Sequence, residues 1–176
     1  MCYIDYKTRK LIEKLAISTR DSLEIDEGNN CKQENIVRFM DDIGCKLSYN
    51  KNTNYYSGNG KVIHLNFEVN NSGSYIGTDK LKPLLFGLWN FIEDCIKSKG
   101  KYYIAYYDNK DTSEIKIKSN YFTRAVLMPE EQFMQKASHY LDSNGQCNIF
   151  EVAEVFGVDY IDVITRGNEL ELWKKR

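Results

Sequence analysis

Residues able to do chemistry are sparse in this chain. There are two histidines, His64 and His139, and they fall in unrelated predicted elements. No pair has the i, i+4 helical spacing that lets two imidazoles reach one metal ion. Taken singly, His64 reads as a polar-face strand residue and His139 as a helix-surface residue. Cys2, Cys31, Cys45, Cys95 and Cys147 are odd in number, widely spaced and without a C-x-x-C pair, which fits reduced thiols better than a disulfide framework. The nearest thing to a ligand cluster is Asn90, Glu93 and Asp94 on one predicted helix, with Asn90 and Asp94 at i, i+4. Glu114, one turn ahead of Lys118, could approach them. Such oxygen donors suit magnesium or calcium rather than a hydrolytic zinc, and the competing reading is a solvated helix end. Nucleophilic catalysis needs a thiol or hydroxyl beside an oriented base; Cys95 and His139 are of the right types, but nothing in the sequence places them together. No G-x-S-x-G, Walker loop or G-x-G-x-x-G is present, and Gly58-Asn59-Gly60 reads as a hairpin turn.

The elements that must position these residues can be read from periodicity. The chain has 176 residues, 42% hydrophobic and 28% charged, with a net charge of −1. Those values describe one globular domain, with or without a small appendix, and no global attraction to nucleic acid or acidic membranes. The N-terminal stretch has no basic and apolar leader pattern. The most apolar run, Leu84 to Ile96, is broken by Asn90, Glu93 and Asp94 and is too short for a bilayer, so a cytoplasmic protein is expected. Thirteen tyrosines and only two prolines fit an AT-rich coding sequence, in which individual Tyr and Asn residues need carry no role.

A helix is expected over about Asp5–Leu23, with Leu11, Ile12, Leu15, Ala16 and Leu23 as its stripe. A second should start near Asn30, where Asn30 and Gln33 have capping-box spacing, and bury Ile36, Val37, Met40 and Ile43 before Gly44. Lys46–Tyr49 and Lys61–Val69 read as strands, the latter alternating Ile63, Leu65, Phe67 and Val69 against polar neighbours, with Ser57–Gly60 as the turn between them. After a loop over Asn70–Gly77, a central apolar helix is expected from about Asp79 to Lys99, Pro83 in its first turn and Gly100 ending it. A strand at Tyr102–Tyr107 follows, then helices over Glu114–Met128 and from Pro129. Beyond the turn at Ser143-Asn144-Gly145, a helix over Ile149–Phe156, a Gly157 turn and a helix from Asp159 complete an α+β order.

One block is specific. Ser119-Asn120-Tyr121-Phe122-Thr123-Arg124-Ala125-Val126-Leu127-Met128-Pro129-Glu130-Glu131-Gln132-Phe133 resembles the A-N-x-F-A-x-x-L-L-M-P-x-x-x-F block of the ImmA/IrrE family of zinc-dependent metallo-endopeptidases, which regulate gene expression, often in phages and mobile elements, by cutting a repressor. The order of elements over most of the chain is similar to the family's. The resemblance implies a zincin-like metallopeptidase scaffold and a metal helix carrying H-E-x-x-H about thirty residues upstream. Aligned so, Phe86, Gly87 and Asn90 stand where His, Glu and His would be. Lys116 and Lys118 stand where the family places acidic residues. An ammonium only donates hydrogen bonds and cannot ligate until it loses its proton. The resemblance therefore implies a degenerate member: no catalytic residue, no metal ligand and no cofactor, with Phe86, Gly87, Lys116 and Lys118 as structural replacements for the metal site.

The segment Ile149–Arg166 also looks like the helix-turn-helix element common at the end of these proteins, giving expected units of 1–143 and 144–176. Its second helix opens with Asp159, Tyr160 and Asp162, which repel phosphate, leaving Arg166 and the tail Lys174-Lys175-Arg176 as the groups favouring DNA. Lys97, Lys99 and Lys101 beside Tyr102, Tyr103, Tyr106 and Tyr107 could bind a single strand, but a solvated helix end followed by a sheet strand explains the same residues without a ligand and is the favoured reading. The expected function is a catalytically inactive, protein-binding regulator, with a repressor or another regulator as partner, no membrane and DNA disfavoured. Its candidate binding groove is Trp89, Asn90, Glu93 and Asn120, with Phe86 buried beneath. The alternatives are a hydrolase with an unconventional metal site and a DNA-binding regulator using the C-terminal helices.

Overall fold

The computed structural model describes residues 4–25, 32–51, 53–66, 81–107 and 113–173. Among them, seven helices and a four-stranded sheet form an α+β arrangement. Helix α1 spans Tyr6–Ser22, capped by the Asp5 carboxylate, which accepts from the Lys7 and Thr8 amides. Its buried stripe is Ile12, Ala16, Thr19 and Leu23, whereas Leu11 is exposed. Of the expected stripe, Ile12, Ala16 and Leu23 are buried and Leu15 packs against the core, while Glu13 and Arg20 widen the buried face, each meeting a buried partner. Helix α2, Gln33–Asp42, buries Ile36 and Met40 and starts later than expected. Lys32 is its N-cap, with no side-chain bond, so Gln33 opens the helix instead of closing a capping box. Asn30 lies outside the described residues, as do Phe67–Val69, the Asn70–Gly77 loop and the C-terminal basic tail.

The sheet contains a strand that periodicity does not reveal. β1 is Lys46–Asn50, β2 Tyr55–Ser57, β3 Val62–Asn66 and β4 Ile104–Tyr106, in the order β1-β3-β2-β4. The Gly58–Lys61 turn thus joins β2 to β3 as an antiparallel hairpin, and β1 pairs with β3 in parallel. β2 is too short for an alternation to register, and it is held by pairing on both sides. Tyr56, Ile63, Leu65 and Ala105 supply the buried face, as the alternation of β3 requires.

Helix α3, Leu81–Lys97, is central, with all but a few of its residues buried. Ser98 and Gly100 then take left-handed conformations that turn the chain back towards β4. One side of α3 lies on the sheet; the other lies on α4, Glu114–Leu127, where Trp89 packs at 5.3 Å from Phe122. The pairing of the apolar helix with the specific sequence block is therefore a tertiary contact.

Helices α5 (Glu130–His139), α6 (Ile149–Phe156) and α7 (Tyr160–Glu169) complete the chain. Pro129 is the N-cap of α5 and not its first helical residue. Asn148 and Asp159 cap α6 and α7 with their side chains, and Gly157, at φ +62°, makes the left-handed turn between them. The largest departure from expectation concerns Arg166. It is fully buried, its Nη1 2.8 Å from Glu13 Oε1 on α1, its Nη2 donating to Glu13 Oε2 at 2.9 Å and its Nε donating to the Met128 carbonyl at 3.0 Å. A guanidinium so enclosed cannot reach DNA, and its ion pair crosses the border expected at residue 143. Beside it, the buried Arg20 donates to the Val126 carbonyl at 2.7 Å. Two arginines thus satisfy carbonyls at the end of α4, where helix geometry leaves acceptors unpaired. Among the described residues, no helix is long and apolar enough to cross a membrane.

Candidate functional site

The three positions aligned with a metal motif lie on the buried middle of α3. Phe86 is 1% exposed and meets Tyr107 edge-on at 5.3 Å. Gly87 faces β3 so closely that a Cβ there would stand 2.7–2.8 Å from three side-chain carbons of Ile63. That is closer than real Cβ atoms approach other heavy atoms, so the helix–sheet spacing depends on glycine. Asn90 has no exposed surface. Its amide nitrogen donates to the Phe86 carbonyl at 2.8 Å and to Ser119 Oγ at 2.9 Å, and its oxygen accepts from the Tyr103 hydroxyl. Ser119 in turn donates to the Ile115 carbonyl at 2.7 Å. Burial, followed by the nearby Glu93 and Asp94 carboxylates, pushes the Tyr103 hydroxyl well above its ordinary pKa, so it stays a donor. The amide network is closed and neutral.

One turn further on, the charged groups are paired just as completely. Glu93 is buried, and its two oxygens accept from Lys97 at 2.7 Å and Lys99 at 2.8 Å, with the buried Lys118 ammonium 3.9 Å away. Burial would raise this carboxyl, but the two lysine hydrogen bonds outweigh it and hold the pKa below its usual value. Lys118 also donates to Glu114, whose pKa is lowered chiefly by that bond. Asp94 accepts from the Tyr56 hydroxyl at 2.6 Å and from the Gly100 amide at 2.8 Å. Gly58 makes that last contact possible, since a Cβ there would lie 2.1 Å from the Gly100 carbonyl oxygen.

A zinc ion, which the family's motif would hold, does not fit these residues. The donors at the aligned positions are a phenyl ring, no side chain, and an amide whose polar atoms are already bonded. Among the described residues, no group of three His, Cys, Asp or Glu could hold a metal ion. A magnesium or calcium site at Asn90, Glu93 and Asp94 fares no better, because the oxygens of all three are engaged by hydroxyl, amide or ammonium donors.

The expected groove residues are not gathered in one open groove. Trp89, 3% exposed, is core, its indole N–H buried without a hydrogen-bond partner; Asn90 and Glu93 are equally enclosed. The correction follows from the breadth of the apolar face of α3, which is covered by the sheet on one side and α4 on the other. Asn120 lines a recess of about 180 Å³ shared with Lys82, Tyr107, Thr123, Arg124, Leu127 and Asp162. Lys82 is paired there with Asp162 at 2.6 Å, and Arg124 with Glu169. Lys116 is half-buried near the start of α4, while Lys118 joins the Glu93 cluster. His64 stacks on Tyr55 at 4.3 Å on the outer face of the sheet, and His139 lies against Tyr140. Cys95 is exposed and 3.2 Å from Lys61 Nζ, with no histidine in contact. Glu13 carries no signal in the sequence, and Tyr103, Ser119 and Arg166 take roles other than those their local sequence suggests. A buried Arg–Glu pair 153 positions apart has no local sequence signal, although Ser119 was visible as the residue preceding Asn120.

No curated protein matches the chain. Residues 94–166, less than half of it, match a family model, Peptidase_M78, described as the IrrE N-terminal-like domain. The match takes in the Ser119–Phe133 block and runs to Arg166. It begins four residues after Asn90, so Phe86, Gly87 and Asn90 stand outside it.

Proposed function

We propose that this chain is a member of the ImmA/IrrE family that lacks zinc-peptidase chemistry and acts by binding a protein, with a repressor or another regulator of a phage or mobile-element circuit as the partner class. The observation that carries the reading is at Gly87. The family's general base would have to stand where Ile63 carbons already lie within 2.8 Å of a bare Cβ, so this packing has no room for it. The closed Asn90–Ser119–Tyr103 network and the three lysines on Glu93 support the same conclusion, because both satisfy buried polar groups without an ion. Keeping the scaffold without the chemistry is consistent with a binding role.

The DNA-binding alternative is disfavoured by the burial of Arg166, and the unconventional metal enzyme by the engagement of Asn90, Glu93 and Asp94. Two measurements test the proposal. Elemental analysis of protein purified without added metal should find zinc far below one ion per chain, and chelator-sensitive cleavage of a candidate repressor should be absent. Stoichiometric zinc, or proteolysis abolished by a chelator, would overturn the inactive reading. Affinity capture from the native host should return one defined protein, and retention of duplex DNA alone would favour the DNA-binding reading instead.

A further inference from the structure

Among the described residues, the C-terminal helix pair carries an apolar surface open to solvent. Phe150 on α6 is 66% exposed and Ile161 on α7 is 57% exposed, with Tyr160 and Ile164 also open to solvent. These residues are contiguous. Phe150 and Tyr160 have ring centroids 5.4 Å apart, and Tyr160, Ile161 and Ile164 share one helical face at i, i+1 and i+4. The packing face of the same pair, Val152, Ala153, Val158 and Val163, is separately buried, so the exposed stripe is not the face on which the two helices pack. Single exposed apolar residues are ordinary; a joined aromatic and aliphatic patch marks an interaction surface.

Charge identifies what would cover it. Glu151 and Glu154 are exposed on α6 and stand on the same helical face as Phe150; Asp159 caps α7 beside Tyr160. There is no lysine or arginine from Leu141 to Thr165, and the arginine that follows is buried and paired with Glu13. An acidic rim repels phosphate, so it disfavours both DNA and anionic membrane. A symmetric dimer would set Glu151 and Glu154 against their own copies, which disfavours a second chain. An apolar stripe with cationic flanks has the complementary pattern. We infer that the exposed face of Phe150, Tyr160, Ile161 and Ile164, rimmed by Glu151, Glu154 and Asp159, is the docking surface for a lysine- or arginine-rich amphipathic helix of a partner protein. The inference rests on the protein-binding reading above and names its surface.

The probe is a fluorescein-labelled amphipathic helical peptide of leucine and lysine, with a leucine–glutamate peptide of equal length as control, read by anisotropy on the full chain at physiological salt. The lysine peptide should bind and the glutamate peptide should not. Phe150→Ser with Ile161→Ser should weaken binding at least about tenfold, as expected for anchor residues. Glu151→Lys with Glu154→Lys should weaken it similarly, while Ile17→Ser, an exposed apolar site on α1, should leave it unchanged. Thermal melts should show the C-terminal variants folded, since all four side chains are exposed. The inference is overturned by absence of binding, by equal binding of both peptides, or by equal loss in the Ile17 variant. It is also overturned by a sedimenting dimer that Ile161→Ser dissociates, or by a duplex-DNA shift that the Phe150/Ile161 variant abolishes. A failure here in zinc-free, non-proteolytic protein removes the surface and leaves the proposed function standing. Stoichiometric zinc removes the proposed function and leaves the peptide data intact.

Discussion

Replacing Arg166 by methionine separates a buried structural role from a DNA-contact role. The guanidinium has no exposed surface, contacts both Glu13 oxygens at 2.8 and 2.9 Å and donates to the Met128 carbonyl at 3.0 Å. Methionine fills most of the volume but leaves Glu13, itself buried, as an uncompensated charge. Breaking one side of a buried pair costs about 3–5 kcal/mol, and the lost bond to Met128 adds roughly 1 kcal/mol. At about 2–4 °C per kcal/mol for a chain of this size, the melting temperature should fall by roughly 8–24 °C. Followed by circular dichroism with urea titration, the single variant should lose about 4–6 kcal/mol. The double variant Glu13→Leu with Arg166→Met should recover to within about 2 kcal/mol of the parent, because the desolvation penalty of both charges disappears. A loss under about 1 kcal/mol in Arg166→Met, as for a surface residue, or a double variant no better than the single one, would refute the buried-pair account.

Phe86→Ala should cost about 3–5 kcal/mol as a cavity between α3 and Tyr107, measured by urea unfolding; a loss typical of an exposed position would mean that the ring is not core. Gly87→Ala should destabilise by roughly 1–3 kcal/mol through overpacking against Ile63, and adding Ile63→Ala should relieve that strain, with a double-mutant cycle showing the coupling. Glu93 sits below its usual carboxyl range through Lys97 and Lys99. Its stability contribution is therefore full above the unfolded-state pKa and is lost as pH falls through the folded value. Urea midpoints taken across the acid range should decline on that side, and Glu93→Gln should flatten the decline; an unchanged slope would show that the pair carries no linkage.

Much of the local structure followed from the order of residue types. The bounds of α6 and α4 were legible because Gly157 and the runs of apolar residues carry stop and periodic signals. The burial of Ile63 and Leu65 followed from alternation, and that of Phe86 from its aligned place at the metal site of the family it resembles. The Ser119–Phe133 block was readable as a short pattern and lies within the matched family segment. The rest needed contacts between distant residues. β2 is three residues long and exists because β3 and β4 flank it. Trp89 could have lined a groove or filled the core, and the packing of Phe122 on α4 decided for the core. Arg166 read as a surface cation from local sequence; a glutamate on α1 made it an interior one. Periodicity reports which residues share a face of one element. Which faces meet, and therefore which charges can be buried in pairs, is settled only when elements far apart in sequence pack together.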